Sequence, residues 1–207
     1  MTGITAGRRR SGPARGLRLD CRRLLATLLA GALAVIVPAR AQDLDARQLA
    51  EVKAGFVLNF IRYTTWPEES FDGPDAPLRV VVLGDAAVAE TLQAIASRAG
   101  AVSSGRRVTV DRILFSSVDE LLSAHVVYIG DSSDHATMEL LERLAGHDVL
   151  VVGDGREFAA AGGMIGIWRD GERLVFDANP EAIRATRIVV SARVLKLARL
   201  VETGGAA

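Results

Sequence analysis

A chain of 207 residues with 49% hydrophobic and 24% charged residues has the composition of one globular domain, not of a disordered segment. Its 25 basic and 25 acidic residues balance, but residues 1–41 hold eight arginines against Asp20 alone; downstream of them remain 25 − 8 = 17 basic and 25 − 1 = 24 acidic groups, a net charge of −7. That excess of carboxylates excludes the basic stripe that nucleic acid requires and disfavours anionic lipid surfaces.

Arg8, Arg9, Arg10, Arg15, Arg18, Arg22 and Arg23 precede a charge-free stretch from Leu24 to Val37, and Ala39-Arg40-Ala41 follow it. A basic start, a short apolar middle and small residues at a cleavage position predict a secretory signal peptide over 1–41, with the mature domain over 42–207. The apolar stretch is shorter than the roughly 20 residues a bilayer core requires, so cleavage is expected and no membrane-embedded segment remains. The only cysteine, Cys21, leaves with the signal. The mature domain therefore lacks disulfides and is held by its core, which a chain of this size can supply.

From 44 to 63, Leu49, Val52, Phe56, Phe60 and Tyr63 recur at helical spacing and predict an inward aromatic face, stopped by Trp66-Pro67 because the residue before a proline is driven out of the α region. A loop rich in Gly and Pro runs to Pro77. Three segments then echo one another: "LRVVVLGD" from Leu78, "AHVVYIGD" from Ala124 and "HDVLVVGD" from His147. Each reads as a strand buried on both faces of a parallel sheet. Helical patterns follow over 86–98 and 135–144, with a shorter one over 156–161. "RVTVDRILF" from Arg107 is a further strand, and Ser117 to Ala124 a short capped helix. "GGMIGIWRDGERLVFDAN", Gly162 to Asn179, reads as two runs around Asp170-Gly171, an antiparallel hairpin. Asn179-Pro180 starts a short helix, "RIVV" is a last strand, and Ser191 caps a final helix with Val194, Leu197, Ala198 and Val201 inward. The expected fold is α/β: a single domain, a mostly parallel twisted sheet with helices on both faces and a C-terminal antiparallel hairpin.

Chemistry-bearing residues are sparse. Asp85, Asp131 and Asp154 fall at strand carboxyl ends, where open α/β sheets bind ligands, and three convergent carboxylates could hold Mg²⁺. Such a site also needs a lysine at that edge, and neither Lys53 nor Lys196 occupies a strand end; helix capping is the commoner task of an Asp there. The spacing of His125, His135 and His147 matches no zinc site, and no phosphate loop, dinucleotide fingerprint or nucleophile elbow occurs. No catalytic residue, metal or cofactor is assigned. Lys53 lies inside the apolar arc of its helix, so it either snorkels or meets a carboxylate from elsewhere in the fold. Trp168 has two readings, core side chain or partner anchor.

In order and spacing, "VKAGFVLNFIRYTTWPEESF", "LRVVVLGD" and "GGMIGIWRDGERLVFDANPEAIRATRIVVSARVLKLARLV" resemble the YfiR family of exported bacterial proteins. The resemblance implies a periplasmic regulator, not an enzyme. It would bind and repress the periplasmic sensing domain of an inner-membrane diguanylate cyclase or related sensor, controlling cyclic di-GMP and biofilm formation. An outer-membrane lipoprotein would sequester it, and a homodimer is compatible with the pattern. Familiar members carry cysteine pairs that this mature chain lacks. The partner surface is expected at the hairpin region, from Phe158, Trp168, Phe176 and Asp177, with Lys53, Trp66, Pro67, Gly163, Asn179 and Ser191 structural. The competing expectation is a periplasmic small-ligand-binding protein or Mg-dependent enzyme at the carboxylate edge.

Overall fold

The computed structural model describes residues 45–99, 102–103, 105–113, 117–130 and 135–204. The expected signal peptide, Cys21, Phe115 and Asp131 lie outside the described residues. Helix α1 spans 45–62. The elements that follow are β1 (Thr64–Thr65), a 3-10 turn (Glu68–Ser70), β2 (Leu78–Leu83), α2 (Ala86–Ala99), β3 (Val102–Ser103), β4 (Arg106–Ile113), α3 (Val118–Leu122) and β5 (Val126–Ile129). Next come α4 (His135–Leu144), β6 (Leu150–Asp154), β7 (Ile165–Asp170), β8 (Arg173–Ala178), α5 (Pro180–Arg184), β9 (Val189–Val190), α6 (Ala192–Leu195) and β10 (Arg199–Leu200).

Eight strands form one sheet in the order β10-β8-β7-β6-β5-β2-β4-β3. Strands β4-β2-β5-β6-β7 are parallel, β8 returns antiparallel to β7, and β10 lies parallel to β8. The chain therefore winds outward from β2 to β4 and then crosses back to β5, which makes the β2/β5 boundary the topological switch point. Beside this sheet, β1 and β9 make a two-stranded antiparallel pair, Thr64 opposite Val190.

Alternating side chains feed two cores. Val80, Val82, Val126, Tyr128, Leu150, Val152 and Ile165 pack with α1, α2, Ile183 and Val194 on one face. Val81, Val127, Ile129 and Val151 pack with Leu121, Leu141, Leu144 and Phe158 on the other. This is the expected α/β architecture, with a hairpin whose two-residue turn places Gly171 at φ 60°.

Two helices differ from expectation. In α1 the buried side chains are Ala50, Ala54, Val57, Phe60 and Ile61, whereas Val52 is half exposed and Tyr63 is 37% exposed. Small residues face the sheet because they let the helix approach closely, and the aromatic stripe straddles the boundary with solvent. The last helix ends at Leu195, not beyond Val201. Arg199 and Leu200 instead pair with Asp177 and Ala178, and Leu197 is left 79% exposed.

Gly163, from the Gly-Gly-Met motif, has a steric reason. The Phe158 ring is wedged between Gly163 and Gly153, where an added Cβ would lie 2.2 Å and 2.3 Å from ring atoms. Gly163→Ala is expected to cost about 1–3 kcal/mol of stability, and Phe158→Leu should relieve most of that loss in the double variant. A denaturant midpoint unchanged by Gly163→Ala would contradict this packing.

Candidate functional site

At the carboxyl edge of the sheet the chain turns sharply through the Gly-Asp pairs. Gly84 takes φ +80° and lies so close to Gly130 that a Cβ would stand 2.8 Å from its carbonyl oxygen. This close approach holds Asp85 at the switch point, where its Oδ1 accepts from the Val88 amide and caps α2. Its Oδ2 faces Lys53 Nζ at 3.4 Å, and Lys53 reaches Asp154 Oδ2 at 2.5 Å. Tyr128 donates to Asp154 Oδ1 at 2.6 Å. Burial, reinforced by the Asp154 charge, pushes the Tyr128 hydroxyl far above its ordinary range, so it remains a donor.

The helical lysine therefore does reach the carboxyl edge, contrary to the sequence expectation, because α1 packs on one face of the sheet and the long Lys53 side chain carries its ammonium to the strand ends. Its side chain is 13% exposed, and its ammonium sits between Asp85 and Asp154, where a divalent cation would have to bind. Among the described residues no group of three metal-ligating side chains converges. The arrangement is an ion cluster in which one ammonium bridges two carboxylates and ties α1 to the sheet, and it does not favour the Mg²⁺ reading.

The hairpin residues form a second cluster. Asp177 is fully buried on β8; it accepts from Trp168 Nε1 at 2.9 Å and from Arg199 Nε and Nη2 at 3.1 and 2.5 Å. Arg156 and Arg199 stand 5.0 and 5.2 Å from the Trp168 ring centroid. Trp168 is half-buried on an interior strand, not at a sheet edge, because β8 and β10 lie outside β7. Phe158 and Phe176 are also buried, at 3% and 7% exposure. The hairpin surface expected from the sequence thus consists mostly of inaccessible side chains: Phe158 fills the Gly153/Gly163 slot, and Asp177 is spent on holding β10.

Phe176 nevertheless leads to an accessible surface. Its ring meets Phe60 at 5.0 Å and Phe56 at 5.7 Å, edge to face. These rings floor a groove of about 290 Å³ between α1 and α6, completed by Asn59, Tyr63, Arg193, Val194 and Leu197. Most of its lining is apolar. Tyr63 and Leu197 stand exposed at its rim, with Val189 and Leu200, 64% and 57% exposed, on neighbouring strands. From 182 to 201 the chain carries five basic residues and no acidic one; of these Arg193 lines the groove, while Arg187 and Arg199 pair with Asp148 and Asp177. The sequence signal for this groove was the aromatic run of α1, read as buried.

The remaining structural residues hold the frame around these sites. Trp66 Nε1 donates to the His125 carbonyl at 3.1 Å, and Pro67 precedes the 3-10 turn. Asn179 and Ser191 cap α5 and α6. A family model described as DUF4154, YfiR/HmsC-like, matches residues 50–199, which take in α1, the whole sheet core, the hairpin and the groove. The chain belongs to the YfiR/HmsC-like family. Membership places it in a regulatory, not a catalytic, family. No helix among the described residues is long and apolar enough to cross a membrane.

Proposed function

We propose that this YfiR/HmsC-like chain is a periplasmic regulator of cyclic di-GMP signalling that acts by binding, with the α1/α6 groove as its partner surface. The partner in this reading is the periplasmic sensing domain of an inner-membrane diguanylate cyclase, which the bound regulator holds inactive. An outer-membrane lipoprotein competing for the same surface would relieve the repression and favour biofilm. The basic and apolar pattern of residues 1–41 supports export, with cleavage before Gln42 and a folded domain over 42–207.

The observation that carries this reading is an accessible apolar groove with exposed Tyr63 and Leu197 at its rim and Arg193 in its wall. Large side chains left in water at a concave, aromatic-floored surface are the usual material of interaction hot spots. Leu197→Glu should weaken binding of the sensing domain by at least about tenfold, since buried anchors contribute on the order of 2 kcal/mol. Stability should be unchanged, because the side chain is 79% exposed. Trp168→Ala should leave binding near wild type while lowering stability. Calorimetric titration against the periplasmic domain of a co-encoded membrane sensor measures both, with analytical ultracentrifugation showing whether a second copy fills the groove instead. Undiminished binding of Leu197→Glu would place the interface elsewhere.

A further inference from the structure

The loop from Trp66 to Pro77 is fastened to the amino-terminal edge of the sheet at two points that differ in kind. One is permanent: Arg106 of β4 donates through Nη1 to the carbonyls of Gly73, Pro74 and Ala76 and through Nη2 to Glu68. An arginine keeps its charge at any accessible pH. The other fastening is His125, at the start of β5.

His125 Nδ1 accepts the Arg79 amide at 3.1 Å, which sets the tautomer with the proton on Nε2. That Nε2 is buried without a hydrogen-bond partner, and the whole residue is 5% exposed. The Phe71 ring stacks on the imidazole at 4.2 Å, and Trp66 meets it edge-on at 6.2 Å. The His125 carbonyl takes the Trp66 indole N–H. The Arg79 bond and the burial require a neutral ring; the Trp66 bond is to the backbone carbonyl and follows the position of residue 125, not its charge. A protonated ring has two N–H donors, so it cannot accept from Arg79, and it would place a cation in a site that desolvates it.

Resting on the groove reading for its functional consequence, we propose that His125 is an acid-operated latch: neutral, it seats Trp66 against the sheet; protonated, it lets go of Trp66 and loosens the α1 end of the groove, while Arg106 keeps its hold on Glu68 and Phe71. The connection to the groove is short. Tyr63, in the groove wall, accepts the Ser191 amide at its carbonyl, and the adjoining Thr64–Thr65 strand pairs with Val189 and Val190 just before α6. Lifting Trp66 pulls on this pair, while the Arg106 clasp holds Glu68 and residues 73–76 in place, so the movement is confined to Trp66 and Pro67.

The charges around the ring agree in sign on balance. Burial is the largest influence and holds the imidazole below its ordinary value; the Ser70 carbonyl and Asp72 of the loop oppose it, and Arg106, behind Phe71, and Arg79 of β2 reinforce it. Glu69, His147 and the Asp148–Arg187 pair line the same cleft. In the released state the ring returns towards its ordinary value of about 6.5. The latched state therefore binds fewer protons than the released one below that value. Its advantage is complete above pH ~6.5, and each unit of acidification from there down to the latched value shifts the equilibrium towards release by about tenfold.

Amide hydrogen exchange on the full chain, corrected for the intrinsic pH dependence of exchange, tests the latch without any partner. Protection of the Arg79 amide and the Trp66 indole should fall by close to tenfold per pH unit below ~6.5, while the β5 amides stay protected. His125→Asn, whose Oδ1 can continue to accept from Arg79, should abolish this dependence, and His147→Gln should leave it intact. Protection of Arg79 that does not change with pH, or that falls equally in His125→Asn, overturns the latch. Should His125→Asn fail to fold, an imidazole titration of the wild type by NMR decides instead: release without protonation of His125 overturns it. Binding of the sensing domain at pH 7.5 tests the groove reading separately, so the two can fail independently.

Discussion

Replacing Lys53 with methionine is expected to lower the stability of the domain by roughly 3 kcal/mol, among the larger effects any single substitution here should produce. The ammonium lies between Asp154 at 2.5 Å and Asp85 at 3.4 Å, and the two carboxylates are only 20% and 23% exposed. Methionine keeps the stem packed on α1 and removes only the charge. What remains is a pair of like charges facing each other, largely desolvated, and that uncompensated burial makes the loss large. Uncharged donors such as Tyr128 to Asp154 and the Val88 amide to Asp85 do not replace the ammonium's charge. A urea midpoint shifted at constant slope measures the loss. Combining Lys53→Met with Asp154→Asn should recover a large part of it, because the second change removes one of the two facing like charges. Lys53→Met within about 0.5 kcal/mol of wild type would show that the cluster is already well solvated. Millimolar Mg²⁺ should leave wild-type stability unaltered; a rise would revive the metal reading of this edge.

A comparable loss, about 3 kcal/mol, is expected from Asn179→Ala. Asn179 is fully buried and uses both ends of its amide: Oδ1 accepts from the Glu181 and Ala182 amides, and Nδ2 donates to the Ala159 carbonyl and Thr203 Oγ1. Alanine removes a helix cap worth ~1 kcal/mol, takes from the Ala159 carbonyl one of its two donors, the Gly162 amide being the other, and leaves a void in a fully buried position, together ~1–3 kcal/mol. Asn179→Asp separates these contributions. It retains the capping oxygen but turns a carboxylate towards the Ala159 carbonyl, so at neutral pH it should be no more stable than alanine. Thermal unfolding of the three proteins side by side checks the order, and an Asp variant as stable as wild type would remove Nδ2 from the account.

The parallel sheet was legible because its strands are continuous β-branched runs ending in Gly-Asp, and the hairpin because Asp170-Gly171 interrupts two such runs. Asn179 and Ser191 announced their helices for the same local reason, since a cap acts within three residues of itself. Lys53 was conspicuous as a charge in an apolar arc, but its partners lie 32 and 101 residues away, so its reach to the strand ends could not be read from spacing. The phase of α1 was misjudged because periodicity weighs hydrophobicity, and the aromatic stripe outweighs the Ala50, Ala54, Val57 and Ile61 stripe that meets the sheet. The groove followed from that error: the most hydrophobic face of the helix is not its most buried one. Strand β10 carries no signal at all, being two residues held by Arg199 to a carboxylate on another strand. The same holds for Arg106 and His125, ordinary residues in sequence whose roles arise only when a distant loop closes over them.

The groove joins the two ends of the described chain: Phe56 and Phe60 come from α1 and Tyr63 from just after it, Phe176 from β8, Val194 from α6 and Leu197 from just after that helix. A chain threaded from its amino terminus, whether off the ribosome or across a membrane, delivers α1 first and the surfaces that cover it last. Until Leu197 has emerged, the groove along the aromatic side of α1 is incomplete. If the groove is the partner surface proposed above, truncated or half-delivered molecules would be silent towards a partner, and competence to bind would arrive only with the last elements of the domain.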